Sequence, residues 1–127
     1  LLKGPEYELP NRAGFFDKGG QWRRHARIAW WEPDPATLDD ALLFQSPPDG
    51  LDTGARYRNP KHPAYPDDAP PVFFGHYWRS GAIELQRRNA VCLDYSIGKG
   101  GRLVAYRHAD DLVIRPDRFH AEVRKPG

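Results

Sequence analysis

The sequence has no methionine, a single cysteine and no long apolar run. One cysteine, Cys92, cannot form an internal disulfide, so a disulfide-stapled secreted scaffold is excluded and a reducing, cytoplasmic location is expected. No stretch approaches the roughly 18 apolar residues that a membrane-spanning helix needs. We therefore expect a soluble cytoplasmic chain with no membrane partner, and the start without methionine is typical of a segment of a longer protein.

Charge is also modest. The formal net charge is +2, with an isoelectric point near 8.8, which does not by itself indicate a nucleic-acid or anionic-lipid partner. Hydrophobic residues make up 39% of the 127 residues, enough for one domain with a small core. Thirteen prolines and twelve glycines exceed what a compact domain of this length normally carries, so much of the chain is expected to be loop.

The first two thirds of the chain predict one strand and one short helix. The run from Arg23 to Trp31 alternates as a strand does. In the helix, Asp34 would cap and Pro35 would take the first position, and the end is expected near Phe44. Residues 45–71 are too rich in proline for regular structure and are predicted to be an inserted cover or a disordered segment.

The last third predicts strands at 72–74, 90–95, 102–107 and 112–114, because apolar stretches alternate there with turn residues. Strands 90–95 and 102–107 are expected to be antiparallel neighbours in a meander, with 112–114 next. The predicted fold class is a β-rich α+β domain spanning 1–127, with an antiparallel or mixed sheet, one short helix and a proline-rich insertion around 45–71.

Among the residues that could bind a metal or act as an acid or base, the first candidate is His76, which follows an apolar strand and Gly75. Binding sites often lie at such strand ends, and imidazole is the commonest transition-metal ligand and a plausible acid or base. The alternative is a histidine that only hydrogen-bonds a neighbouring carbonyl.

Two basic segments allow two interpretations each. The glycine-rich stretch around Lys99 either cradles an anion with its backbone amides or is simply a turn, and the absence of a following helix excludes a phosphate-binding loop of the nucleotide-binding type. The arginines and tryptophans between Trp22 and Trp31 form either a basic aromatic patch that stacks bases or an ordinary amphipathic strand.

The runs 72–78, 89–96 and 100–107 resemble the C-terminal end of the calcineurin-like metallophosphoesterases in order and spacing. They are most similar to bacterial members near the serine/threonine protein phosphatases and the diadenosine-tetraphosphate hydrolases, and 3–6 and 27–31 also look like that subgroup. The resemblance implies a β-sandwich flanked by helices, an αββα arrangement. It also implies two divalent metals, manganese, iron or a similar ion, that activate a water for attack on phosphorus, with His76 as a ligand of one metal.

The departures from the family are large. The Asp-x-His, Gly-Asp-x-x-Asp-Arg-Gly and Gly-Asn-His-Glu signatures do not occur in these 127 residues, and position 78 is Trp where other members have a second histidine. The resemblance therefore implies a C-terminal part of a metal-dependent phosphoesterase that supplies one metal ligand and part of the substrate wall. Its partners would be the N-terminal half of the same enzyme and a phosphoester substrate, and the chain alone is expected to be inactive and to bind no metal.

Weaker candidates for substrate binding are Arg27, Tyr77 and Lys99. Two other functions stay open. The chain is alternatively a stand-alone β module that binds nucleic acid or another anionic ligand, through Arg23, Arg27, Trp30 and Trp31. It is otherwise a structural or protein-interaction domain.

Overall fold

A computed structural model describes residues 4–59 and 61–123. The chain divides into an N-terminal unit, Gly4–Tyr65, and a C-terminal unit that begins at Pro66. Strands dominate both, and the described residues contain one α-helix, four residues long. The prediction of a β-rich fold with one short helix is confirmed. No helix in the described part of the chain is long and apolar enough to cross a membrane.

The N-terminal unit is built on a small antiparallel sheet and a two-stranded hairpin. In chain order its elements are β1 (Glu6–Glu8), β2 (Phe15–Phe16), β3 (Trp22–Arg23), β4 (His25–Ile28), α1 (Leu38–Ala41) and β5 (Leu42–Leu43). The sheet order is β1-β4-β5, and β2 pairs with β3. The inward residues of these elements form the core: Leu9, Ala13, Phe15, Ala26, Ile28, Leu38, Ala41 and Leu42.

Helix α1 begins and ends elsewhere than the sequence predicted. Its N-cap is Thr37 instead of Asp34, because the Thr37 hydroxyl accepts from the Asp40 amide while the Asp40 carboxylate accepts from the Thr37 amide, which forms a capping box. The Thr37 hydroxyl also donates to the Asp40 carboxylate at 2.7 Å, and this bond, followed by the one from the Thr37 amide, holds the pKa of Asp40 below its usual range. The helix stops at Ala41, short of Phe44, because Leu42 and Leu43 pair with β4 as β5.

The proline-rich segment has no regular structure in the described part of 45–71, as predicted, but its first part packs on the N-terminal unit. The carbonyl oxygen of Thr53 accepts from the Asp39 amide, and that of Ala55 accepts from the Leu38 amide, both at 2.9 Å. Leu51 and Tyr57 pack against the core. The segment therefore supplies partners for the first amides of α1, which a helix cannot satisfy itself.

The C-terminal unit contains two small sheets. Its strands are β6 (Val72–Phe74), β7 (Ala90–Cys92), β8 (Asp94–Tyr95), β9 (Arg102–Tyr106) and β10 (Phe119–Val123). Strands β6 and β7 are parallel, and β8, β9 and β10 form an antiparallel sheet in the order β10-β9-β8. The prediction of strands at 72–74 and within 102–107 is confirmed, as is the antiparallel pairing of β8 with β9.

The prediction of strand at 90–95 is confirmed except at Leu93, whereas the predicted meander and the predicted strand at 112–114 are wrong. The stretch 90–95 is interrupted at Leu93, so that β7 pairs with β6 and β8 pairs with β9, and the parallel β6–β7 pair is not part of a meander. Residues 112–114 are not a strand: Leu112 and Val113 are exposed, and Ile114 is buried as an isolated anchor. The antiparallel neighbour of β9 is instead β10, in which exposed polar residues alternate with small or apolar ones.

Asn89 fixes the start of the parallel pair. It is fully buried, and its side-chain amide donates to the carbonyl oxygens of Pro66 at 2.8 Å and Ala69 at 3.0 Å. Its backbone carbonyl accepts from the Val72 amide at 2.8 Å. These bonds hold the segment that leads into β6, because breaking any of them would leave a buried polar group unpaired.

A first prediction concerns Gly101, which precedes β9. A Cβ there would overlap the carbonyl oxygen of Tyr95, whereas a Cβ at Gly98 in the same turn would meet no atom within 4 Å. We expect Gly101→Ala to lower the free energy of unfolding by about 2 kcal/mol, and Gly98→Ala to change it by less than about 0.5 kcal/mol. Urea denaturation of both variants measures this. Equal stabilities would contradict the close approach at Gly101.

Candidate functional site

The candidate site lies on two loops of the C-terminal unit, which we call the loop pair: 75–79 after β6 and 96–101 after β8. The carboxylate of Asp94 joins them. Its Oδ2 accepts from the His76 amide at 2.9 Å, and its Oδ1 accepts from the Ser96 amide at 3.1 Å. The Asp94 carbonyl oxygen also accepts from the Arg79 amide at 2.8 Å. One residue thus fixes both ends of the first loop and the start of the second.

The first loop has an unusual backbone. His76 has φ 71° and Trp78 has φ 44°, and Ser96 in the second loop has φ 59°. The left-handed region costs free energy for residues with a Cβ, and such residues concentrate at functional sites where the surrounding structure enforces them. Here the enforcing bonds are those that Asp94 accepts.

The imidazole of His76 is half-buried and lies 5.8 Å from the Trp78 ring, centroid to centroid. Neither of its nitrogens has a hydrogen-bond partner among the described residues. If His76 is a metal ligand, its other ring nitrogen is expected to be held by a backbone carbonyl or by Asp94, but the Asp94 carboxylate holds the backbone amide of His76 instead. His76 is therefore not a histidine saturated by protein groups.

Next to His76 is an open concavity of about 300 Å³, lined by Phe73, Phe74, Gly75, Leu93 and Asp94. His76 follows Gly75 but is not itself one of these lining residues. Within 4–59 and 61–123, no three His, Cys, Asp or Glu side chains come together to hold a metal. Within these residues, His76 therefore belongs to no cluster of three such side chains.

Lys99 extends from the second loop to the ring of Trp78 in the first loop. Its Nζ lies 4.6 Å from the centroid of the Trp78 ring, the geometry of a cation–π contact. The amides of Lys99, Gly100 and Gly101 donate to carbonyl oxygens within the turn, and the Ser96 amide donates to Asp94. The glycine-rich stretch is thus a turn that presents Lys99, and four of its amides are bonded within the protein.

The other two substrate-binding candidates lie in different surroundings. The ring of Tyr77, in the first loop, packs edge-on against the ring of Phe74, with 5.3 Å between the two centroids. Arg27 lies half-buried on β4 of the N-terminal unit, in register with Glu6 and Leu43.

The basic aromatic patch is largely neutralised within the N-terminal unit. Arg23 pairs with Asp17 at 2.7 Å, and Arg24 lies 3.4 Å from Glu8. Trp31 is buried, and its ring contacts that of Trp30, which packs in turn on Tyr65 at 5.8 Å. Trp30 and Trp31 thus fit the amphipathic-strand interpretation, whereas Trp22 is exposed and its ring contacts that of Phe16.

Two residues of the site had a different role in the sequence interpretation. Trp78 counted only as the place of a missing second ligand, yet it carries Lys99. Asp94 was expected to bind the imidazole, yet it holds two backbone amides. The bond from Ser96 was foreseeable, because Asp commonly accepts from the amide two residues further on. The bond from His76 spans 18 residues and has no local signal.

Cys92 precedes Asp94 by two residues in the sequence and is fully buried in β7. Burial raises the pKa of its thiol, because a thiolate loses its hydration there. The thiol therefore stays protonated and is a poor metal ligand.

A second prediction tests the joining of the loops. Asp94→Asn replaces one carboxylate oxygen by a donor, so that one of the two loop amides loses its acceptor. We expect the free energy of unfolding to fall by about 1–3 kcal/mol and the amides of His76 and Ser96 to exchange hydrogen faster. Asp68→Asn is the matched control, since Asp68 is exposed and makes no hydrogen bond within the described residues. Unchanged exchange at both amides in Asp94→Asn would refute this role.

A third prediction concerns Cys92. In native buffer at neutral pH, iodoacetamide should not label the thiol, and labelling should begin only at urea concentrations that unfold the C-terminal unit. Mass spectrometry of the intact chain measures the alkylation. Rapid labelling of the folded protein would contradict the burial of β7.

The chain matches no known protein-family model, no curated protein and no solved structure. The family resemblance of residues 72–78 therefore stays a prediction from the sequence. What the structure adds is a pair of loops, joined by Asp94, that brings His76, Trp78 and Lys99 together.

Proposed function

We propose that this chain is the C-terminal part of a metal-dependent phosphoesterase, to which it contributes His76 as one metal ligand and part of the substrate wall. The proposal rests on the surroundings of the His76 ring and on the backbone conformation of this residue. Its imidazole has no hydrogen-bond partner among the described residues, while its backbone is held with φ at 71° directly after β6. A side chain that serves only the core would not be kept in this way.

The residues present fit a metal in part. A neutral imidazole nitrogen suits manganese, iron and similar divalent ions, and the half-buried ring of His76 retains a nitrogen for one. The remaining ligands would come from the N-terminal half of the same enzyme. When bound, two such ions polarise the phosphoryl group and lower the pKa of a bound water.

Residues of this chain position the His76 ring and form the surface beside it. Asp94 holds the His76 backbone, so the ring is presented from a fixed point. Phe73, Phe74 and Leu93 line the open concavity beside it and give it an apolar wall.

The exposed apolar side chains of the C-terminal unit fit a sheet that packs against another part of the same enzyme. Leu103 is 57% exposed, Leu112 61% and Val123 65%. Covering such residues is favourable, and the αββα sandwich of the metallophosphoesterases would cover them. The same surface supports the second candidate, a protein-interaction domain without catalytic function. No observation favours the nucleic-acid-binding module, since its arginines and tryptophans are engaged within the N-terminal unit.

A fourth prediction tests the function. The chain alone should not hydrolyse para-nitrophenyl phosphate above background in manganese, iron, nickel or zinc, because one ligand holds a metal weakly. In the enzyme that joins this chain to its N-terminal half, we expect His76→Ala to lower kcat/KM by roughly 100-fold or more. Circular dichroism should show the fold intact.

The matched control is His120→Ala, since His120 is exposed on β10. It should retain full activity. Metal-dependent turnover by the chain alone, or normal activity of the His76→Ala enzyme, would overturn the proposal, and the interaction domain would then be the better interpretation.

A further inference from the structure

We propose that Lys99, carried on the ring of Trp78, is a phosphate-binding residue that holds an anionic group of the substrate beside His76. The substrate assignment rests on the function proposed above, whereas the binding of phosphate by Lys99 does not. The ligand class is a phosphate ester or free phosphate, recognised by its charge and its acceptor oxygens.

The first step is position. Nζ of Lys99 lies 4.6 Å from the Trp78 ring, and that ring lies 5.8 Å from the His76 ring. Lys99 and Trp78 come from different loops, and Asp94 accepts an amide from each loop. The ammonium group is thus placed by the same bonds that place the imidazole.

The second step is the absence of a counter-ion. Three arginines of this unit have carboxylate partners: Arg79 lies 3.4 Å from Glu84, Arg87 2.5 Å from Asp67 and Arg118 2.7 Å from Asp111. In the part of the chain that the structure describes, no carboxylate pairs with Lys99. Its partner is an aromatic face, which attracts the charge but accepts hydrogen bonds poorly.

Arg102 provides a useful comparison at the same turn. Its guanidinium lies 5.4 Å from the Tyr95 ring, but it also donates to the carbonyl oxygen of Gly81. Arg102 therefore serves to fix a neighbouring loop. Lys99 makes no such bond, is exposed and keeps its donors available.

The third step is energetic. An exposed cation–π contact is weak, and a hydrogen bond between an ammonium and a phosphate is one of the strong, charge-assisted kind. A phosphate can therefore draw Nζ away from the ring at little cost, while the ring holds the side chain near the site until then. The amides of Ser96, Lys99, Gly100 and Gly101 are already bonded, so the positive charge that holds a phosphate at this turn would be that of Lys99.

The test uses the 127-residue chain with inorganic phosphate and phenyl phosphate as separate probes, at low ionic strength. Nuclear magnetic resonance follows the indole N–H of Trp78 and the Hε protons of Lys99 during each titration. We expect saturable shifts of both, and roughly tenfold weaker binding in Lys99→Gln. Lys99→Arg should restore most of the affinity because it retains the charge.

Lys61→Gln is the matched control, since it removes one exposed lysine charge from the N-terminal unit and should leave binding unchanged. An equal loss in Lys61→Gln would mean that only net charge matters and would overturn the proposal. Absence of saturable shifts, or equal affinity in wild type and Lys99→Gln, would also overturn it.

The substrate assignment is tested separately in the joined enzyme. There Lys99→Gln should raise KM for the phosphoester roughly tenfold with little change in kcat, whereas His76→Ala lowers kcat. If phosphate binds through Lys99 but His76→Ala retains activity, the proposed function fails and the phosphate site stands. If KM is unchanged in Lys99→Gln, the substrate role of Lys99 is refuted even where His76 is essential.

Discussion

The candidate site depends on the two acceptor oxygens of Asp94. A carboxylate only accepts hydrogen bonds, and each oxygen here takes an amide from a different loop. The bonds hold residues in the left-handed region on both sides, His76 on one and Ser96 on the other. Without this carboxylate the amides of His76 and Ser96 would lose the acceptor group that they share, and the position of His76 would no longer be linked in this way to the loop that carries Lys99.

Asp94 can serve both loops because the chain changes partner just before it. Residues 90–92 belong to a parallel pair with β6, and 94–95 belong to the antiparallel sheet with β9. Leu93 is the junction, and its amide still donates to the Phe74 carbonyl oxygen at 2.8 Å. The site therefore forms where two small sheets meet along one stretch of chain, which is where the ends of their strands and the following loops converge.

The sequence predicted what is local and missed what is distant. Alternation and apolar runs located β6 and β9, and the glycine-rich turn was recognised. The parallel pairing of β6 with β7 was not predicted, because it depends on hydrogen bonds from Asn89 to carbonyl groups up to 23 residues away in the sequence. Residues 112–114 looked like a strand because they are apolar, but β10 is selected by its pairing with β9 and not by composition. At the site, His76 and Lys99 were named, while the contact of Lys99 with Trp78 has no signal in spacing.

The left-handed backbone of His76 also bears on how this position can vary. Glycine adopts φ near 71° without strain, whereas a residue with a Cβ pays on the order of 1 kcal/mol or more. A chain selected for stability alone would therefore drift toward glycine at position 76. An imidazole at this position therefore lowers the stability of the fold. Proteins accept a loss of this kind where a side chain is needed for activity.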